Sequence, residues 1–206
     1  MTKKERAKIV MTELEKIYPE VPIPLNHKNA YELLVAVALS AQTTDKKVNE
    51  VTPKLFSVAP NPQKMAALEE PEIKELIKEI GLSTTKAKNL KLMANQLLEK
   101  HNGEVPATFE DLENLAGVGH KTASVVMSQA FGFPAFPVDT HIHRLMKQWK
   151  LTEGKNVVQT ENDAKKLFPK ETWNKLHLQI IFYGREYSPA RGNQERDYIT
   201  KILFEG

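Results

Sequence analysis

The segment Leu115-Ala116-Gly117-Val118-Gly119-His120-Lys121-Thr122-Ala123 constrains this chain more than any other. Ahead of it, Thr108-Phe109-Glu110-Asp111 has the capping-box pattern that starts a helix. Behind it, Thr122 to Met127 are small and apolar, as a buried helix requires. Gly117 and Gly119 therefore occupy a tight turn between two helices, where glycine permits positive φ and a close approach to the backbone. Such a turn presents unpaired N–H groups and the positive end of a helix dipole, which suits a phosphate. Lys121 is oddly placed there, because a cation in the first helical turn is disfavoured by about 0.3–1 kcal/mol. A deprotonated lysine beside a phosphate site is a candidate nucleophile. The competing reading is a solvated lysine at a helix start, and Gly-x-Gly alone does not choose between them.

Asp139 follows the proline-broken, extended segment Phe131 to Val138 and precedes the helical run Thr140 to Leu145. Its plain role is the N-cap of that helix. A capping carboxylate is also held in one orientation, as a catalytic group must be, so the two roles are compatible.

The rest of the chain reads as helices. Lys3 to Ile17 has helical periodicity, and Tyr18 to Pro24 is a proline-rich connection. Asn29-Ala30-Tyr31-Glu32 is a second capping box, followed by a helix apolar on all sides. Lys46 to Phe56, Glu72 to Ile80 and Lys88 to Lys100 are predicted helices, with Gly81 to Ala87 as a turn. Further helices are expected from Asp139 to about Leu151, over Asn162 to Phe168 and over Trp173 to Tyr183. There is neither sustained alternation nor a hairpin turn signal, so the expected fold is all-α. Lys86, Lys88 and Lys91 read as phosphate contacts or as a solvated face.

Composition sets outer bounds. At 206 residues, 41% hydrophobic and 27% charged, the chain suits one or two packed domains. A net charge of +3 is too small to argue for nucleic acid by itself. There is no cysteine, hence no disulfide and no thiolate metal site. The first residues lack a signal-peptide pattern and the longest apolar run, Leu33 to Leu39, is too short for a membrane span. A cytoplasmic protein is expected.

Leu-Ala-Gly-Val-Gly-His-Lys-Thr-Ala followed by Val-Asp-Thr-His-Ile resembles the helix-hairpin-helix and Gly/Pro-Asp signature of the endonuclease III family of DNA glycosylases. The likeness covers nearly the whole chain, with Ala116 where the family usually has proline. It implies a two-lobed helical fold: residues 23–133 form a continuous domain containing the hairpin, and residues 1–22 and 134–206 form a second lobe, with DNA across the cleft. It also implies a bifunctional glycosylase and abasic-site lyase that releases oxidised pyrimidines and cuts the strand 3′ to the lesion. Lys121 and Asp139 match the catalytic lysine and aspartate. Gln42, in Ser-Ala-Gln-Thr-Thr-Asp, matches a residue that fills the gap left by a flipped base; without the resemblance it is a polar turn. Leu82 matches a leucine wedge, or else packs as a helix-cap contact. Gly117, Gly119, His141, Arg144, Arg185 and Arg191 complete the expected DNA contacts. Duplex DNA is the expected partner of a monomer, with no membrane. A monofunctional glycosylase and a non-catalytic DNA-binding protein are the alternatives, and Lys121 discriminates the bifunctional reading from the monofunctional one.

The family's usual tail holds a four-iron cluster through Cys-x6-Cys-x2-Cys-x5-Cys. Here those positions fall on Ser188, Glu195, Tyr198 and Phe204, so no cluster is expected. Tyr198, Ile199, Ile202, Leu203 and Phe204 are expected to form an apolar plug instead, and the loop Pro189 to Asn193 to lose rigidity. His141 and His143, two apart on a helix, point in different directions and do not suit a metal. A monovalent cation on the hairpin carbonyls is implied by the resemblance alone.

Overall fold

The computed structural model of the chain describes residues 1–192 and 195–205. The described residues are all-α, with twelve α-helices, one short 3-10 turn and no strand. In chain order the helices are α1 (Lys3–Ile17), α2 (Ala30–Leu39), α3 (Asp45–Val58), α4 (Pro62–Ala67), α5 (Glu70–Leu76), α6 (Ser83–His101), α7 (Phe109–Glu113), α8 (His120–Gln129), α9 (Thr140–Gln148), α10 (Val157–Leu167), α11 (Trp173–Glu186) and α12 (Tyr198–Phe204). They fall into two compact units, Ile23–Gly132 and the combination of Met1–Pro22 with Phe133–Gly206. None of the helices is long and apolar enough to cross a membrane.

The continuous unit is built around α2. Asn29 caps it by accepting from the Glu32 N–H at 2.9 Å. The Glu32 carboxylate accepts from the Lys28 N–H at 2.8 Å, so the capping box closes one residue earlier than the sequence pattern implies. Every side chain from Tyr31 to Val37 is buried, and so is Leu39. A helix with no polar face must be enclosed, and α3, α6 and α8 pack around it. The longest helix, α6, has α4 and α5 along its side.

Two of the boundaries that differ from the sequence reading flank Leu82. The apolar period continues to Ile80, yet α5 ends at Leu76; Ile77 and Ile80 stay buried in the turns that follow. Helix α6 starts at Ser83 rather than Lys88, because Leu82 reverses the chain in one residue at φ 60°, ψ 33°.

The unit made from both ends has its own core. Trp149, Tyr183, Phe136 and Leu14 are fully enclosed, each side chain contributing roughly 1.5–3 kcal/mol on burial. Helix α9 turns Ile142, Leu145 and Met146 inward, and α11 packs against both α9 and α1.

Candidate functional site

The hairpin is set by four residues. Leu115 and Val118 are buried and anchor the turn, and the Val118 N–H donates to the Leu115 carbonyl at 3.2 Å. Gly117 has φ +75°, and a Cβ there would stand 3.2 Å from the Asn89 side chain. Gly119 differs from expectation: its φ of −95° and ψ of −178° are open to any residue. What marks Gly119 is space, since a Cβ would meet nothing within 4 Å. It is the N-cap of α8 and supplies no side chain to the first-turn N–H groups. An extended, side-chain-free approach to a helix start is the geometry that accepts an anion.

Lys121 is the second residue of α8 and is exposed. Its ammonium makes no hydrogen bond or ion pair among the described residues. Its neighbour is held differently: His120 Nδ1 lies 2.6 Å from Glu113 Oε1, and its ring stacks on Phe109 at 5.7 Å.

Gln42 and Leu82 share an unusual backbone state. Both are exposed and both are left-handed, with φ of 57° and 60°. A non-glycine residue in that region is held there at a cost of about 1–2 kcal/mol. Leu82 is 58% exposed, which removes the reading of it as a packed cap contact. Their two loops meet: a Cβ on Gly81 would lie 4.0 Å from both the Gln42 carbonyl and Thr43 Oγ1.

The lysines of α6 contradict the sequence reading in two of three cases. Lys86 is buried, and burial pushes its amine pKa down. Lys91 Nζ donates to the Leu68 carbonyl at 2.6 Å. Only Lys88 is on an exposed face. The same helix holds the hairpin, for Gln96 Oε1 accepts from the Ala116 N–H at 2.7 Å. Lys86, Asn89 and Gln96 were not singled out as a set from the sequence. Their signal is a polar row at helical spacing within the inward face that carries Met93 and Leu97.

The remaining residues belong to the terminal unit. Asp139 is the N-cap of α9, and its Oδ1 accepts from the Ile142 N–H at 2.8 Å. It is half-buried, with one oxygen so engaged. His141 lies against α11: a Cβ on Gly184 would come 3.1 Å from its ring. Its Nδ1 is buried without a partner, and burial pushes its pKa below the usual 6.5 against the pull of Asp139. Arg144 donates to the Ser188 carbonyl and to Ser188 Oγ at 3.3 Å, so its guanidinium ties α9 to the tail. Arg185 is in the last turn of α11, where a cation suits the dipole, and is exposed. Arg191 is exposed in the loop that follows, and Asn193 lies outside the described residues.

Comparison with known proteins decides the family. The profile "HhH-GPD superfamily base excision DNA repair protein" matches residues 35–170. Endonuclease III of Haemophilus influenzae is 45% identical over 205 residues, covering 100% of this chain and 97% of its own. The Escherichia coli K12 protein of the same name is 44% identical with the same coverage. A solved non-covalent endonuclease III–DNA complex aligns at TM-score 0.92 and 37% identity over 100% of both chains. A trapped endonuclease III–DNA covalent intermediate aligns at 0.91 and 40% identity, covering 94% and 92%. The chain belongs to the endonuclease III family.

The tail departs from the endonuclease III pattern of four cysteines. At the matching positions Ser188 is buried, Glu195 and Phe204 are exposed and Tyr198 is intermediate. A serine, a carboxylate, a phenol and a benzyl group do not make a thiolate set. Among the described residues no group of three or more His, Cys, Asp or Glu could hold a metal ion. The tail is fastened through Asp197. This buried carboxylate accepts from Tyr183 Oη at 2.7 Å, Gln148 Nε2 at 2.6 Å, the Thr200 N–H at 3.1 Å and Thr200 Oγ1 at 3.0 Å. Beside it Tyr183 stacks on Tyr187, and Tyr198 meets both rings edge-on. The apolar plug is smaller than expected: Ile199 and Leu203 are buried, but Ile202 and Phe204 are each 40% exposed. As α12 is only two turns long, its other face points outward.

Proposed function

We propose that this endonuclease III family chain is a DNA glycosylase and abasic-site lyase of base excision repair. It acts as a monomer on duplex DNA, releases oxidised pyrimidines and cleaves 3′ to the abasic site. The observation that carries the reading is the hairpin: an uncapped helix start, open on the Gly119 side, with an exposed lysine in its first turn. Two further supports are the relatives named endonuclease III and the neighbour described as a trapped covalent intermediate with DNA.

In this reading the N–H groups around Gly117 and Gly119 bind a backbone phosphate and the damaged nucleotide leaves the stack. Gln42 and Leu82 occupy the vacancy. The Lys121 amine forms a bond to C1′, the glycosidic bond breaks, and the base departs with its electron pair. Asp139 takes the ammonium proton and stabilises positive charge on the sugar. The ring oxygen then leaves C1′ to give an imine. Loss of a C2′ proton expels the 3′ phosphate and frees the strand end. His141 and Arg144 act as supports of α9, while Arg185 and Arg191 add phosphate contacts.

The Asp197 network holds the tail without an iron–sulfur cluster. A monovalent cation at the hairpin would sit on its backbone carbonyls, of which the Leu115 carbonyl already accepts one hydrogen bond; no step above depends on it.

The test is base release from duplex DNA containing one oxidised pyrimidine, beside nicking of duplex DNA containing one abasic site, each with and without borohydride. The protein should nick, and borohydride should convert nicking into a stable adduct. Base release without nicking or adduct would make the enzyme one that uses water.

A further inference from the structure

Three oxygens converge on the one ammonium of Lys86. Its Nζ donates to the Leu39 carbonyl at 3.0 Å, the Ala41 carbonyl at 2.6 Å and Thr43 Oγ1 at 3.3 Å. The residue is 7% exposed. Burying an ammonium is costly unless its donors are used, and here all three have acceptors. Leu39 ends α2, so its carbonyl is one of those a helix leaves unpaired, at the end where the dipole favours a cation. An ordinary cap would come from the next residues of the chain. This one comes from α6, 47 residues away in sequence from Leu39.

The connection has a direction. Ala41 and Thr43 are the two neighbours of Gln42, so the side chain of Lys86 grips the loop on both flanks of that residue. The backbone N–H of Lys86 donates to the Leu82 carbonyl at 2.9 Å. One residue thus holds both exposed, left-handed positions, Gln42 with its side chain and Leu82 with its backbone. Left-handed backbone at non-glycine residues persists only where the surroundings over-determine it. The lowered pKa of Lys86 agrees with its enclosure.

We propose that Lys86 is a positioning residue that sets the separation and aim of Gln42 and Leu82, the two side chains that enter the duplex. This rests on the functional reading above. Lys86 touches no substrate; it acts by keeping two loops in one rigid unit, so that the pair inserts together when the nucleotide leaves.

The experiment uses the full chain with Lys86→Met, which keeps the length and apolar stem but has no donor, and with Thr43→Val, which removes one acceptor. Base release from a duplex with an oxidised pyrimidine is compared with nicking of an abasic site in single-stranded DNA, where no vacancy needs filling. Thermal midpoints and a 2-aminopurine opposite the lesion, which brightens when unstacked, are read in parallel. Misplacing the pair should lower the ratio of duplex base release to single-strand nicking by about 100-fold in Lys86→Met, through kcat more than KM. Thr43→Val should shift the ratio the same way by less, and it serves alone if Lys86→Met does not fold. The 2-aminopurine signal should fall with the ratio. Equal loss of both activities, tracking the thermal midpoint, would overturn the proposal, as would an unchanged ratio. Lys121→Gln is run alongside: retention of both activities there would overturn the functional reading itself. Loss of both there, with an unchanged ratio in Lys86→Met, would overturn only the role of Lys86.

Discussion

Asp139 separates structure from chemistry at one residue. Its Oδ1 caps α9, a task that asparagine performs equally well. Asp139→Asn should therefore leave the thermal midpoint in place while slowing base release, with lesion binding retained; unchanged turnover would remove the carboxylate from the mechanism. Two residues on, His141 has its pKa depressed by burial. The unfolded chain then takes up a proton that the folded one resists, so stability is full above 6.5 and is lost as the pH falls below it. The thermal midpoint should drop on acidification below that value, and drop less steeply in His141→Asn; equal slopes would show that other groups dominate. Cap residues are single-position chemistry, so the place of Asp139 at the start of α9 was readable in the sequence. The burial of Lys86 was not. A lysine carries the same letter whether its ammonium meets water or three protein oxygens, and only the fold of α2 against α6 distinguishes them.

The hairpin shows the same separation for an element. Gly117 needs its positive φ and has Asn89 close by, so Gly117→Ala should cost about 1–2 kcal/mol in unfolding free energy. Gly119 has extended backbone and open space, so Gly119→Ala should cost under about 1 kcal/mol, the difference between two caps. DNA binding should fall in both, and in Gly119→Ala out of proportion to stability, because the methyl group fills the approach to the N–H groups. Urea unfolding and a salt-dependent binding titration check this; equal binding by Gly119→Ala and the parent would contradict it. Four helix starts with a capping residue were legible: α1, α2, α7 and α9 begin where the sequence places them. The start of α6 was missed because Leu82 in a left-handed turn has no sequence signature. Helix α10 begins at Val157, behind the cap of Asn156, five residues before the expected start at Asn162. The short α4 and α12 carry too few residues to show a period, although Asn61-Pro62 and Asp197 are proper starts for them.

For the whole molecule, the all-α class followed from the absence of any alternating pattern. The fastening of the tail did not, because Asp197, Gln148 and Tyr183 are far apart in sequence and meet only in the folded chain. Asp197→Ala would leave Tyr183, Gln148 and Thr200 without their common acceptor. It should cost about 3 kcal/mol and remove hydrogen-exchange protection from α12 before the rest. An iron chelator should leave the thermal midpoint of the parent protein unchanged; a drop on chelation would contradict a metal-free tail.

The account turns on one covalent bond, between a lysine amine and C1′ of deoxyribose. Borohydride reduction in the presence of abasic-site DNA, followed by digestion and mass mapping of the modified peptide, locates that bond directly. The account predicts the adduct on Lys121 and its loss in Lys121→Gln; an adduct on another amine, or full trapping by Lys121→Gln, would contradict it.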